Sequence, residues 1–225
     1  TIRSYPAKTI ISASDTAAEM RDGLKNLYSV IKGQDANTEF VFLTGVSKFS
    51  KVSLFSGLNN LTDITLDAPF STICGYTEPE MTDVFADHLK GKPLEDVRQW
   101  YNGYAWLGET VYNPFSILNY LKKGDLRNYW FETGTPAFLI ELFKKKQYYI
   151  PAIEGIEASE SIIGAFEVDF IEPENLLFQA GYLTIARQRR VAGKIFYTLR
   201  YPNMEVKASL SRSEERRVGK ECATG

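Results

Sequence analysis

Histidine and cysteine are scarce in this 225-residue sequence, which has one histidine, His88, and two cysteines, Cys74 and Cys222. A single histidine excludes most histidine-based metal sites and nearly all Ser–His and Cys–His nucleophile pairs. We expect His88 to be a solvated surface residue. The two cysteines lie far apart without the spacing of a disulfide framework, so we expect reduced thiols.

Long apolar runs and a large net charge are also missing. No apolar stretch reaches the roughly 18 residues that a membrane span needs, and no signal-peptide pattern opens the sequence. We therefore expect a soluble, cytoplasmic protein without a membrane partner. The net charge of −2 gives the whole chain no general attraction to phosphate. With 44% hydrophobic and 24% charged residues, the composition is that of a globular protein.

The first third of the sequence predicts one helix and two strands. Residues 15–32 repeat apolar side chains at helical spacing, and Asp15 can cap the start. Phe40–Thr44 is a short apolar run beside Gly45, which is typical of a buried parallel strand. Asp63–Asp67 alternates apolar and polar residues like a second strand. Two strands cannot form a sheet that is covered on both faces, so either other residues complete it or it continues outside this sequence.

The middle of the sequence predicts helices with clear boundary signals. Thr77 and Glu80 form a capping box, while Asn113 and Gly124 have the positions of an N-cap and a terminal glycine. The predicted helices span residues 77–89, 93–101, 113–124, 135–146, 159–168 and 173–181.

Aromatic residues are concentrated in the strings "WYNGYAW" and "VYNP". Stacked aromatic rings can bind bases, but the spacing favours packing between helices. Trp130, Phe131 and Phe138 are predicted to be core residues. Glu132 is interpreted as structural, with an ion pair to an arginine as the alternative.

After Gly181 the pattern changes to the alternation of strands. "YLTIARQRR" and "KIFYTLRY" flank "VAG", which predicts a β-hairpin. A helix followed directly by a basic hairpin is typical of the end of a winged helix. Arg187, Arg189 and Arg190 lie in this predicted wing and are candidate nucleic-acid contacts. Plain solubility is the alternative interpretation.

Several long strings carry a family resemblance: "EMRDGLKNLYSVIK", "FVFLTGVSKFSKVSLFSGLNNLTDITLD", "ICGYTEPE", "WYNGYAWLGETVYNPFSILNYL", "NYWFETGTPAFLIELF", "LLFQAGYLTI" and "YPNMEV". They occur in order over roughly residues 17–210, and together they resemble the AAA-ATPase-like family of bacterial proteins. Members of that family usually carry a PD-(D/E)XK nuclease-like domain after the ATPase part.

The resemblance implies an α/β remnant of a P-loop NTPase sheet, followed by a mainly α-helical lid and a winged-helix-like region. It also implies that the intact protein binds ATP and Mg²⁺ and hydrolyses ATP. No GxxxxGK[ST] string and no acidic strand of the "DEYD" kind occur in the sequence. This chain is therefore predicted to be an inactive fragment that binds no cofactor tightly. A P-loop segment and a nuclease-like domain would lie elsewhere in the same polypeptide.

Within that interpretation, Thr44 is the predicted catalytic residue. Its hydroxyl, at the end of the predicted strand, would position the water that attacks the γ-phosphate; bonding of the adjacent turn is the alternative. Lys48 and Lys51 are predicted to face phosphate at the carboxyl edge of the sheet, with a solvated loop as the alternative. No metal ligand is predicted.

The predicted organisation has four parts. Residues 1–67 would be the remnant of the ATPase core, 68–180 the helical lid and 181–211 the wing-like hairpin. Residues 212–225 form no domain, because Arg212–Cys222, "RSEERRVGKEC", matches the translation of a common short-read sequencing adapter. The alternative function is a helical and winged-helix module that binds nucleic acid or protein, with nucleotide acting only as a switch.

Overall fold

The computed structural model describes residues 14–45, 61–130, 154–160, 163 and 173–211. The chain divides into two compact units, and each unit is assembled from two separate sequence segments. The first unit contains Thr1–Thr62 and Glu160–Ala180, and the second contains Asp63–Ser159 and Gly181–Gly225. The described elements form a mixed α/β architecture with small antiparallel sheets and several helices, which confirms the broad fold prediction.

In chain order, the described helices and strands are α1 (Ser14–Gly33), α2 (Glu78–Val84), α3 (Ala86–Leu89), α4 (Leu94–Tyr101), β1 (Asn102–Tyr104), β2 (Val111–Tyr112), α5 (Pro114–Lys123), β3 (Glu157–Ser159), α6 (Pro173–Gln179), β4 (Thr184–Val191), β5 (Lys194–Arg200) and α7 (residues 204–211). Short 3₁₀ turns occur at Asp35–Asn37 and Ala68–Phe70. Among the described helices, none is long and apolar enough to cross a membrane.

The first unit contains α1, which confirms the predicted N-terminal helix, and α6, which confirms the predicted helix near residue 173. The predicted buried strand Phe40–Thr44 is wrong for this structure. These residues form no regular element, and the side chains of Phe40 and Phe42 are 80% and 50% exposed. A buried strand needs hydrogen-bonded neighbours, and no described residue pairs with this segment. The two rings instead stack on each other, with centroids 6.4 Å apart.

The second predicted strand, Asp63–Asp67, is also wrong, because this segment forms a turn. The Asp63 carboxylate accepts hydrogen bonds from the backbone N–H and the hydroxyl of Thr65, at 3.1 and 2.8 Å. The N–H of Asp67 donates to the carbonyl of Ile64 at 3.2 Å. An aspartate that bonds the backbone two residues ahead favours a turn over a strand.

Helices α2 to α5 form an aromatic core in the second unit. The predicted capping box is confirmed, since the Thr77 side chain accepts from the N–H of Glu80 and the Glu80 side chain accepts from the N–H of Thr77. The predicted helix 77–89 is broken at Phe85, where α2 ends and α3 begins. The buried cluster consists of Met81, Leu89, Val97, Tyr101, Tyr112, Ile117, Tyr120 and Tyr129.

Helix α5 follows its sequence signals closely. The Asn113 side chain accepts a hydrogen bond from the N–H of Ser116 at 3.2 Å. Gly124 ends the helix in the left-handed conformation, with φ of 84°. Both features confirm the predicted N-cap and terminal glycine.

A glycine in the "WYNGYAW" string allows two distant segments of the second unit to touch. Gly103 has φ of +125°, and a Cβ at this position would lie 1.9 Å from the carbonyl oxygen of Pro202. The neighbouring Tyr101, Tyr104 and Tyr112 are all buried. The prediction that these aromatic residues pack in the core is therefore confirmed, although Tyr104 and Tyr112 lie in strands β1 and β2, which the sequence did not predict, and not on helices.

Candidate functional site

A β-hairpin carries the candidate site, as predicted. Strands β4 and β5 pair in antiparallel fashion and are joined by Ala192 and Gly193. Both joining residues have positive φ, 49° and 79°, which is the geometry of a two-residue hairpin turn whose twist matches that of the strands. Strand β3, which the sequence did not predict, pairs with the other side of β5 and gives the sheet order β3–β5–β4.

The two faces of this sheet differ in burial and charge. Tyr197 and Leu199 of β5 are 1% and 0% exposed and define the inner face. Side chains alternate along a strand, so Phe196 and Thr198, both half-buried, belong to the outer face. The register places Arg189 beside Phe196 and Arg187 beside Thr198. We call this outer surface the basic sheet face; its members are Arg187, Arg189, Lys194, Phe196, Thr198, Arg200 and Glu157.

Glu157 of β3 reaches across the central strand to Arg189 of β4. Its carboxylate accepts from Nε of Arg189 at 2.6 Å and also from Nη2, so the pair is bidentate. The guanidinium carbon lies 5.2 Å from the centroid of the Phe196 ring. The hydrogen bond from Arg189 holds the pKa of Glu157 below its usual value. Both side chains remain nearly half exposed.

The three predicted arginines do not form one patch. Arg187 and Arg189 share the basic sheet face, whereas Arg190 pairs with Ile195 and so belongs to the opposite face. Sequence reasoning missed Phe196 and Lys194, although a two-residue turn at 192–193 would have fixed their register. It also missed Glu157, and the sequence gives no signal that would place this residue beside Arg189.

Of the three residues predicted to contact nucleotide, Thr44 lies within the described ranges. Thr44 is exposed in the irregular segment after Phe42. Lys48 and Lys51 lie outside the described residues, as do Phe131, Glu132, Phe138, the predicted helix 135–146 and the segment 212–225. His88 is exposed, as predicted. Cys74 is a free, exposed cysteine, and Cys222 falls outside the described residues.

A second constellation surrounds Glu78 in the first turn of α2. Its carboxylate accepts from Arg98 at 3.0 Å, from the Tyr112 hydroxyl at 2.8 Å and from the Asn102 amide at 3.3 Å. Burial alone would raise the pKa of Glu78, but these hydrogen bonds together lower it. The pKa of Tyr112 is raised to about 12, mainly by burial and secondly by the hydrogen bond to Glu78. These hydrogen bonds connect α2, α4 and β2 to one another.

Glu205 in α7 is a buried carboxyl group with incomplete hydrogen bonding. It is 0% exposed, and its Oε1 accepts from the backbone N–H of Trp130 at 2.9 Å. Its Oε2 has no hydrogen-bond partner among the described residues. Burial raises the pKa of this carboxyl above its ordinary value, and its polar neighbours, the Trp130 N–H first and then Ser116 and Tyr129, offset only part of that effect.

The described ranges contain no group of three or more histidine, cysteine, aspartate or glutamate side chains that could hold a metal ion. The exposed guanidinium and ammonium groups of the basic sheet face are chemically suited to recognise anions. Arg187, Arg189 and Lys194 are the exposed cationic residues of that face.

Comparisons with known proteins agree with the family resemblance. Residues 4–55 match the family model AAA-ATPase-like, described as "Predicted AAA-ATPase". The chain is 53% identical over 203 residues to the "Uncharacterized protein in vnfD 5'region" of Azotobacter chroococcum mcd 1. The alignment covers 90% of this chain, and the chain spans about 39% of the length of that curated relative. No solved structure matches the chain.

These findings first define a class, a mixed α/β protein with an exposed basic sheet. They then support one family: the AAA-ATPase-like resemblance is confirmed, and residues 4–55 carry the match to it. Fusion to a nuclease-like domain stays a prediction.

Proposed function

We propose that this chain is part of an AAA-like ATPase, whose intact form binds ATP and Mg²⁺ and hydrolyses ATP. The match of residues 4–55 to the AAA-ATPase-like family is the observation that carries this proposal. The predicted roles belong to it: Thr44 would orient the attacking water, and Lys48 and Lys51 would face phosphate. A P-loop segment and a nuclease-like domain in the remainder of the polypeptide, and a cytoplasmic location, belong to the same proposal.

The described residues alone do not fit an ATP·Mg²⁺ site. Thr44 is exposed and lies in no strand, and the described part of the chain offers no carboxylate cluster for Mg²⁺. Apart from the proposed role of Thr44, no catalytic step is therefore assigned to the described residues. The proposal places the phosphate cradle and the metal-binding carboxylates in sequence beyond the described ranges.

The test is to read the genomic sequence around this chain and to assay the complete gene product for Mg²⁺-dependent ATP hydrolysis. If Thr44 orients the attacking water, Thr44→Ala should reduce kcat by about 100-fold, and Thr44→Ser should retain most of it. Thr38→Ala is the matched control, because Thr38 is an exposed threonine whose hydroxyl donates to the Gln34 carbonyl within its own turn at 3.0 Å. A gene product without ATPase activity would refute the proposal, and full activity in Thr44→Ala would refute the role of Thr44.

A second candidate function is nucleic-acid binding through a winged-helix-like region. The order of elements favours it: strand β3, helical residues at 160 and 163, helix α6, and then the hairpin β4–β5, with β5 in the centre of the sheet. A winged helix has this arrangement of strands and helices. Helix α6 is mostly buried, including Asn175, Leu176 and Leu177. The exposed cations of the hairpin are therefore better placed than α6 to contact a nucleic acid.

A further inference from the structure

The basic sheet face has a charge opposite to that of the whole chain. The chain has a net charge of −2. On this face, four cationic side chains (Arg187, Arg189, Lys194 and Arg200) accompany a single carboxylate, Glu157. Among the described residues, no carboxylate forms an ion pair with Arg187 or Lys194. Arg187, Arg189 and Lys194 are exposed, whereas Arg200 is half-buried and its Nη2 donates to the Gly103 carbonyl at 3.5 Å. The excess of positive charge that faces solvent therefore lies toward the turn end of the hairpin.

The cations follow the direction of the strands. Residues two apart on one strand lie about 7 Å from each other, and neighbouring strands are about 4.8 Å apart. Arg187 and Arg189 therefore repeat along β4, while Lys194, which pairs with Val191, extends the exposed strip on β5 to a length of about 13 Å. A strip of this kind suits an extended polyanion that runs along the sheet.

An aromatic ring lies in the middle of the strip. Phe196 is half-buried, and the Arg189 guanidinium is held over its ring. Aromatic rings and guanidinium planes are the surfaces on which unpaired bases stack. The bases of a duplex are stacked within the helix and cannot reach a ring set into a sheet. An acidic peptide would use the cations but has no need of the ring.

Glu157 occupies the two donors of Arg189 that a phosphate would use. A guanidinium binds carboxylate and phosphate with the same bidentate geometry. An exposed pair of this kind contributes little free energy, so a phosphate can replace the carboxylate at small cost. Glu157 is thus placed to limit the affinity of the face for anions.

We propose that the basic sheet face binds single-stranded nucleic acid, with phosphates on Arg187, Lys194 and Arg189, a base stacked at Phe196, and Glu157 as a competing carboxylate. This inference rests on the second candidate function and specifies its ligand and its surface. It is independent of ATP hydrolysis.

The experiment measures binding of a fluorescent oligothymidylate to the 225-residue chain by anisotropy over a series of salt concentrations. Arg187→Gln should lower the affinity and reduce the slope of log K against log salt by about 0.7, which corresponds to one phosphate contact. Phe196→Leu should weaken binding by about fivefold or more. Glu157→Gln should strengthen binding, by up to about fivefold, because it releases Arg189.

Two control variants have matched changes in charge. Glu154→Gln removes a carboxylate three residues from Glu157, but Glu154 pairs with Lys207 at 3.4 Å and not with the hairpin. Arg190→Gln removes a cation from the same strand as Arg187, on the opposite face. Both controls should bind like the unaltered chain. Far-UV circular dichroism should show the same fold for all variants.

Each contrary outcome is distinct. Equal losses of affinity in Arg187→Gln and Arg190→Gln would refute the basic sheet face as the binding surface. Equal changes of affinity in Glu157→Gln and Glu154→Gln would refute the competing role of Glu157. Preference for duplex over the oligothymidylate, with no effect of Phe196→Leu, would overturn the single-strand inference but keep the second candidate function. Binding of polyglutamate but of no nucleic acid would overturn both, and the ATPase assay would be unaffected.

Discussion

Glu78 and Glu205 are carboxyl groups of the second unit whose surroundings shift their pKa values in opposite directions. Hydrogen bonds from Arg98, Tyr112 and Asn102 lower the pKa of Glu78, although burial opposes them. The ionised Glu78 carboxylate therefore stabilises the folded chain above the pKa that Glu78 has when unfolded. This stabilisation is lost as the pH falls through the lower, folded-state pKa of Glu78. Burial raises the pKa of Glu205. The protonated Glu205 carboxyl therefore stabilises the folded chain at low pH, and this stabilisation is lost as the pH rises through the folded-state pKa of Glu205.

We expect Glu205→Gln to stabilise the chain near neutral pH by about 1 kcal/mol, because the amide avoids burying a charge and can still accept the hydrogen bond from Trp130. Urea unfolding at about pH 7 and about pH 4 would measure this. The gain should shrink at the lower pH, where the native carboxyl is already protonated. A gain of the same size at both pH values would contradict the assignment, and Glu109→Gln, at an exposed position of the same unit, provides a control.

The residues of the candidate site show what one sequence can reveal. Arg187 and Arg189 were identifiable because basic residues in an alternating segment stand out. The separation of Arg190 from them follows from alternation along the strand, and it could have been predicted once the turn was fixed at Ala192 and Gly193. The contact of Glu157 with Arg189 could not be predicted, because pairing between distant strands leaves no local signal.

At the scale of elements, the helices with strong caps were predictable and the isolated strands were not. Asn113 and Gly124 fix the ends of α5 through local hydrogen bonds and backbone conformation, which depend on few residues. Phe40–Thr44 has the composition of a strand, but a strand exists only when another segment supplies its hydrogen bonds. The three-residue strand β3 is too short to show alternation.

Gly103 gives a prediction at this scale. Gly103→Ala should destabilise the chain by about 3 kcal/mol, because the new methyl group would collide with the Pro202 carbonyl and would be strained at φ of +125°. Gly91→Ala is the matched control, since Gly91 has φ of +74° but no atom within 4 Å of the added Cβ. The control should lose only about 1 kcal/mol, the cost of the backbone strain alone. Equal losses in urea unfolding would show that the contact with Pro202 is unimportant.

At the scale of the whole molecule, each compact unit draws on two segments of the chain. The second unit joins residues before 160 to residues after 180, so its sheet depends on a pairing between β3 and β5 about 40 residues apart in sequence. Because sequence patterns report local structure, they predict domains that are continuous in sequence, with boundaries after residues 67, 180 and 211. Those boundaries stay a prediction.

Amide hydrogen exchange should distinguish the segments of the molecule. We expect residues 40–45 to exchange fastest among the described residues, because all of them except the half-buried Val41 are exposed and none belongs to a helix or strand. The amides of Ile117 and Leu199 should exchange slowest, since both residues are 0% exposed and donate to backbone carbonyls. Protection of residues 40–45 equal to that of Leu199 would show that they pair with another strand in solution.

The position of Trp130 has an experimental consequence. Its backbone N–H is held by Glu205, and its ring packs against Tyr182 with centroids 5.0 Å apart. Indole emission responds to nearby charge, so we expect the fluorescence of Trp130 to report the ionisation of Glu205. With Trp100 and Trp106 replaced by phenylalanine, a fluorescence titration would follow a single carboxyl group without any added label.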